Sequence, residues 1–155
     1  MWNGLMRGTF MILAGGLALL LGVGILCPQA ASADVVIQLV EHATTDTVTD
    51  TGKKGDTAGD ILTFANDIYD AANKTKLGTD NGWCIRTVPG KAWECFWTLT
   101  LEEGQITVEG PFLDSGDSVL AITGGTGTYA GARGEMALHA RDAKGSEYDF
   151  KYSLK

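Results

Sequence analysis

Basic residues, histidine and proline are scarce in this 155-residue chain, which has 12 lysines and arginines against 19 aspartates and glutamates, two histidines and three prolines. The resulting formal charge of −7 leaves no basic stripe to displace counterions from phosphates, so nucleic acid is not an expected partner. No helical periodicity is sustained over ten residues, which argues against a helix bundle or a parallel sheet with crossover helices. Asp46, Asp50, Asp56 and Asp60 are close in sequence. They lack the alternating ligand spacing and closing glutamate of a calcium loop, so no metal site is expected there or elsewhere.

What is present divides at residue 33. Arg7 is the one charged residue before that point, Gly8 to Leu26 is uncharged, and Leu17-Ala18-Leu19-Leu20-Leu21 is the densest apolar run. Ala31-Ser32-Ala33 ahead of Asp34 has the small-x-small pattern of a signal peptidase site, so residues 1–33 read as a signal peptide. An uncleaved anchor is the alternative, because a run of this length nearly spans a bilayer. Cys27 follows Leu26, where a lipoprotein site would want a small residue. Residues 34–155 then form one secreted or periplasmic domain with no membrane contact after cleavage. Without Arg7, 11 basic residues face 19 acidic ones, a net charge of −8.

Two cysteines remain, and export exposes them to oxidation. Val88-Pro89-Gly90-Lys91 reads as a turn centred between Pro89 and Gly90, so partners across that hairpin have numbers summing to 179. Cys84 and Cys95 meet this condition, and a disulfide between them is predicted; two buried thiols are the alternative.

Period-two alternation continues through the domain. Val35 to His42 is a strand with Val36, Gln38, Val40 and His42 on one face and Val35, Ile37, Leu39 and Glu41 on the other, both largely apolar. Ala43 to Gly59 is polar and without periodicity, and is expected to be a mobile loop. Asp60 to Asn66 is a second strand, with Leu62, Phe64 and Asn66 on one side. A further hairpin is read over Trp97 to Glu109, turning at Glu103-Gly104 and pairing Leu101 with Ile106 and Leu99 with Val108. Strands follow at Val119 to Thr123, Glu135 to Arg141, and Tyr148 to Leu154. About eight short strands joined by short turns predict an all-β fold, an antiparallel barrel or sandwich. Such a barrel is wide enough to be packed solid or to hold one small ligand. Asn73-Lys74-Thr75 also fits the N-glycosylation triplet.

The run Val119 to Gly134 contains Thr123-Gly124-Gly125-Thr126-Gly127, which imitates a dinucleotide-binding turn. Only 24 residues follow Gly131, and they alternate with period two, leaving no room for the crossover helix, second strand and acidic residue of such a unit. The glycines instead read as a strand-to-strand connection.

Four segments together carry a resemblance. They are Gly59-Asp60-Ile61-Leu62-x-Phe64-x-Asn66-x-x-Tyr69-Asp70, Gly82-x-Cys84, Gly104-Gln105-Ile106-x-Val108-x-Gly110-Pro111-Phe112-Leu113, and Leu120-Ala121-Ile122-Thr123-Gly124-Gly125-Thr126-Gly127-x-Tyr129-x-Gly131. In order and almost in register they resemble the plant allene oxide cyclases over about Val35 to Leu154. Gly131-Ala132-Arg133-Gly134 is similar to the related dirigent proteins. The resemblance implies an eight-stranded antiparallel β-barrel of calycin-like type, a homotrimer, an apolar cavity that steers the cyclisation or coupling of a small molecule, and no cofactor. Leu62, Phe64, Asn66 and Cys84 match cavity positions. The first-strand glutamate of the cyclases is placed at Gln38, the asparagine two residues on at Val40, and the cavity tyrosine at Phe112. On that placement allene oxide cyclisation itself is not expected.

Three functional classes follow. The first is a secreted barrel, an isomerase or intramolecular cyclase, with Gln38, His42 and Asn66 as catalytic candidates and Leu62, Phe64, Asn66 and Phe112 binding a small apolar molecule. The second is a binding barrel without chemistry. The third is a structural or interaction protein with a packed interior. A cavity separates the last from the others.

Overall fold

The computed structural model describes residues 34–155; the expected signal peptide, residues 1–33, lies outside the described residues. Nine strands form in chain order: β1 (Val35–His42), β2 (Thr47–Thr49), β3 (Ile61–Asp70), β4 (Lys76–Val88), β5 (Ala92–Leu101), β6 (Gly104–Leu113), β7 (Ser118–Gly125), β8 (Gly134–Ala140) and β9 (Glu147–Leu154). A single 3₁₀ turn, Gly127–Tyr129, is the one helical element among the described residues. Neighbouring strands run antiparallel from β3 through to β9, β9 pairs with β1, and β1 closes the ring against β3. Eight strands therefore make the barrel, as the alternation predicts, and β2 is a short extra strand on the first part of β3. Closure pairs each barrel strand with two neighbours and leaves β2, which is exposed and three residues long, as the edge.

The disulfide forms between Cys84 and Cys95, which sit directly opposite each other on β4 and β5. Ile85 with Glu94 and Arg86 with Trp93 keep the same register, and a bulge next to the turn brings Val88 opposite Ala92. The second hairpin differs from expectation. Leu99 faces Ile106 and Leu101 faces Gly104, so the turn is Glu102-Glu103 and the register lies two residues from the predicted one. A slip of two leaves each side chain on its own face, so inward and outward positions survive the error. Gly104, at φ 147°, takes a conformation that other residues avoid.

The segment after β1 is not the free loop its composition implies. Buried Asp60 accepts bonds from the Thr57 and Thr51 backbone N–H groups at 2.7 and 3.1 Å and from the Thr57 hydroxyl at 3.0 Å. With β2, these bonds fasten residues 43–60 across one end of the barrel. The glycine run behaves as a connection: β7 extends through Gly125, and a Cβ on Gly127 (φ 59°) would strike the Glu103 carbonyl oxygen.

One half of the lumen is packed solid. Leu99, Ile106, Val108, Leu120, Met136 and Tyr152 are at most 1% exposed and make its floor, with Trp97 and Phe150 above them. The other half differs. The ends of β1, β4, β6 and β8 and the beginnings of β3, β5 and β9 meet there, and their inward side chains leave a space.

Candidate functional site

That space is a cavity lined by Leu62 and Phe64 from β3, Cys84 and Cys95, Trp97 from β5, Phe112 from β6, Leu138 from β8, and Tyr148 and Phe150 from β9. Two acids join this apolar lining, Glu41 from β1 and Asp46 from the segment ahead of β2. Its volume is about 40 Å³, room for about three waters. Phe112 and Tyr148 meet edge to face, with ring centroids 5.9 Å apart, and form the wall between this cavity and a wider vestibule reaching Asp142 to Gly145. Trp97 stacks on Phe150 at 5.7 Å and meets Phe64 at 6.0 Å.

Glu41 is the chemically distinctive member. Strand alternation turns it inward with Leu39, and it sits between Ile68 of β3 and Tyr148 of β9 while only 5% exposed. Its Oε1 accepts a 2.8 Å bond from Asn66 Nδ2. Asp80 of β4 lies directly across from Asn66, is 0% exposed, and receives a hydrogen bond on neither oxygen from a donor among the described residues. Burial holds the Asp80 carboxyl far above the usual carboxylate range, and the neighbouring Glu41 charge raises it further. Burial also raises Glu41; its bonds with Asn66 and Asp80 pull the other way, and Asp46 adds to the rise. Two neighbouring buried carboxyls cannot both ionise cheaply, so the Asp80 carboxyl stays protonated beside Glu41. Burial pushes the Tyr148 hydroxyl up to about 12 and raises Tyr152 further, so both stay neutral.

Among the residues singled out in the sequence, Leu62, Phe64 and Phe112 do line the cavity. Gln38 does not: it is exposed on the outer face of β1, and the carboxyl that this strand turns toward the cavity is Glu41, three residues on. His42 also faces away from the cavity. Its Nε2 is 2.6 Å from Asn73 Oδ1, its ring stacks on Tyr69 at 4.1 Å, and Glu147 lies 3.7 Å away. Asn73 donates its amide N–H to Glu147, so the side-chain nitrogen of the glycosylation triplet is already engaged.

Asn66 lies behind the cavity wall and uses its full hydrogen-bonding capacity. Nδ2 donates to Glu41 and to Asp46 Oδ1, both at 2.8 Å, and Oδ1 accepts from Thr44 N, Thr45 N and Thr45 Oγ1 at 3.1, 3.0 and 2.9 Å. It therefore aims both acids and anchors the chain that covers them. Asn66→Ala should cost about 3 kcal/mol of stability, because several buried polar groups lose their partner together. A urea-unfolding curve within about 1 kcal/mol of the native protein would contradict this.

At the cavity's end of the barrel, Arg86 continues the inward row of β4. Its guanidinium lies 3.9 Å above the Trp93 ring, donates to Asp114 at 2.7 Å and forms an ion pair with Asp56 at 2.6 Å. This cation is fully neutralised and ties the loops after β2 and β6 together.

Sequence reasoning did not single out Glu41, Asp80, Trp97 or Tyr148, and weighed Asp46 only as a calcium ligand. A signal existed for Asp80, which shares the period-two row of Cys84. For Glu41 it was ambiguous, because both faces of β1 are apolar and either could point inward.

A closed eight-stranded antiparallel barrel, packed at one end and hollow at the other, defines a calycin-like small barrel. The chain belongs to the allene oxide cyclase family, whose model matches residues 36–144. Among solved structures it is similar to a pyocyanin demethylase, with 27% identity over 78% of this chain and 98% of that one and a TM-score of 0.66. AbnU, an exo-specific intermolecular Diels-Alderase, shares the fold at 15% identity, over 79% of this chain and 98% of that one, with a TM-score of 0.64. The pterocarpan synthase dirigent protein PsPTS1 does so at 12% identity, over 79% and 93%, with a TM-score of 0.63.

Proposed function

We propose that this protein is an exported barrel that binds a small, largely apolar molecule at its open end and promotes an isomerisation or cyclisation, with Glu41 as the catalytic residue. The observation that carries this is a buried carboxyl in the wall of an aromatic cavity, held by Asn66 and raised in proton affinity by its burial. A carboxyl whose proton affinity is raised toward neutrality can take a proton from one atom of a bound molecule and return one to another. Such a rearrangement is redox-neutral and the protein ends unchanged. The carboxylate form can equally favour a developing positive charge during ring closure. Phe112, Tyr148 and Phe64 hold the molecule in a folded, reactive shape and keep water away.

The similar structures support this reading, since they include a demethylase, a Diels-Alderase and a dirigent protein built on the same barrel. The disulfide is compatible with export, and the uncharged N-terminal segment supports it. Exposed Trp83 and Ile85 on the outer face of β4 give a homotrimer an apolar surface to assemble through.

The cavity is narrow without an occupant, so binding has to part Phe112 from Tyr148. Native mass spectrometry of the protein purified from its own host should show a bound small molecule. The neutral dye N-phenyl-1-naphthylamine should bind the emptied protein and be blocked by Leu62→Trp. No bound molecule, together with dye binding that Leu62→Trp leaves untouched, would overturn the assignment of this cavity.

A further inference from the structure

We infer that the site takes a ligand of two parts: a ring-shaped body that stays in the vestibule, and one slim apolar arm, an alkyl or alkenyl chain of about three carbons, that enters the inner cavity. This rests on the proposed binding site and deepens it by naming the ligand's class. The first support is the size of the two spaces. The inner cavity offers about 40 Å³, whereas the vestibule in front of it offers about 410 Å³. The first accommodates on the order of three non-hydrogen atoms and the second on the order of thirty, enough for a fused ring system with water around it. Phe112, Leu138 and Tyr148 line both spaces, so one molecule can occupy the two at once. Phe112 meets Tyr148 edge to face at 5.9 Å, which makes this collar narrow. A chain can slip past one turned ring, but a ring system would have to displace both.

The second support is that the inner cavity has no room to lengthen. Trp97 and Phe150 are stacked across its far end, and Phe64 packs edge-on against Trp97. Phe64 and Trp97 also press on the β4 backbone at Gly82, where even a Cβ would collide with them. On the wall beside them the Cys84–Cys95 bond ties β4 to β5. Side chains packed this closely yield little to an intruding atom.

The third support is the difference between the two linings. Ala140, Asp142 and Lys144 border the vestibule and not the inner cavity, so polar substituents on the body remain beside polar groups and water. Glu41 borders the inner cavity and not the vestibule. Only the arm reaches it. The atoms that exchange a proton with Glu41 therefore belong to the arm, and the body serves recognition.

The test is a calorimetric series of 7-hydroxycoumarins that carry methyl, propyl or heptyl at the 4-position. From methyl to propyl the affinity should rise about fifteenfold, the effect of burying two more methylenes, and from propyl to heptyl it should change by less than about threefold. Leu62→Phe shortens the inner cavity alone. It should erase the advantage of propyl over methyl and leave the methyl compound's affinity within about twofold of its value in the native protein. Ala140→Trp fills the vestibule alone and should weaken all three compounds alike, by about tenfold or more. Circular dichroism checks that both variants fold. In the native protein, an affinity that keeps rising to heptyl by the same increment per carbon, or that ignores arm length, would overturn the two-part ligand while leaving the cavity in place. Failure of all three coumarins and of N-phenyl-1-naphthylamine to bind would instead remove the site on which the inference rests.

Discussion

Stability should decline as the pH is raised from 5 to 9, by about 3 kcal/mol, and Asp80→Asn should remove most of that decline. Glu41 and Asp80 both have folded-state pKa values above those of the unfolded chain, chiefly through burial. The unfolded carboxyls titrate near pH 4. Below that pH both states hold the protons and the full contribution is present. Above it the unfolded chain releases protons that the barrel retains, so stability falls until the folded pair titrates, by at most about 1.4 kcal/mol per pH unit for each group. Asp60, Asp70 and Asp142 have the opposite shift, so their contribution is lost as the pH falls through the acid range. Hydrogen bonds to their carboxylates are the cause, first among them the Thr57 backbone N–H on Asp60, the Lys74 backbone N–H on Asp70 and the Ser146 hydroxyl on Asp142. Maximum stability is therefore expected in the mildly acidic range. Asparagine matches the shape of Asp80 and cannot ionise, and its N–H can still donate to Glu41. Urea titrations of the native protein and the variant at each pH would decide the matter: equal slopes would show that Asp80 is not the titrating group.

The second large effect is catalytic. Glu41→Gln should lower turnover of the co-purifying molecule by roughly 10²- to 10⁴-fold, the range for removing a general acid–base group, while thermal stability at pH 8 stays equal or rises. Glutamine preserves the 2.8 Å bond from Asn66, because its amide oxygen can accept where Glu41 Oε1 does. It also ends the contact between two carboxyls, so Asp80 should bind its proton less tightly. The fold is therefore kept while the transferable proton is lost. Incubation in D₂O gives the most direct reading: the native protein should place deuterium at the rearranging position of the ligand, and the variant should not. Unchanged deuterium uptake in the variant would remove Glu41 from the reaction.

These two expectations differ in kind. The pH dependence needs no ligand and follows from two buried carboxyls alone, whereas the turnover loss depends on the proposed reaction. A protein that showed the first effect without the second would have an acidic pair that shapes binding only.

Much of the barrel was legible because its alternation is local. Turn residues such as Pro89-Gly90 and the period-two rows of β4, β5 and β9 depend on neighbours only a few positions away. The Cys84–Cys95 bond could be placed by counting from a turn. The two-residue slip in the β5–β6 hairpin came from the choice of turn, Glu102-Glu103 rather than Glu103-Gly104, and changed no side chain's face. The site was less legible. Gln38 and Glu41 lie on opposite faces of a strand that is apolar on both, so local pattern could not say which face looks inward.

The sequence by itself determined an all-β domain, most of its turns and its disulfide, since strand pattern and turn chemistry act over short distances; Leu62, Phe64 and Phe112 could be placed in a cavity only through the family resemblance. Tertiary structure alone decided that Glu41 faces the lumen, that Asp80 comes to lie against it from β4, and that Asn66 binds Glu41 and Asp46 at once. Those contacts join residues far apart in the chain, and they exist only because closing β1 onto β3 encloses the acids in a space too dry to ionise them freely.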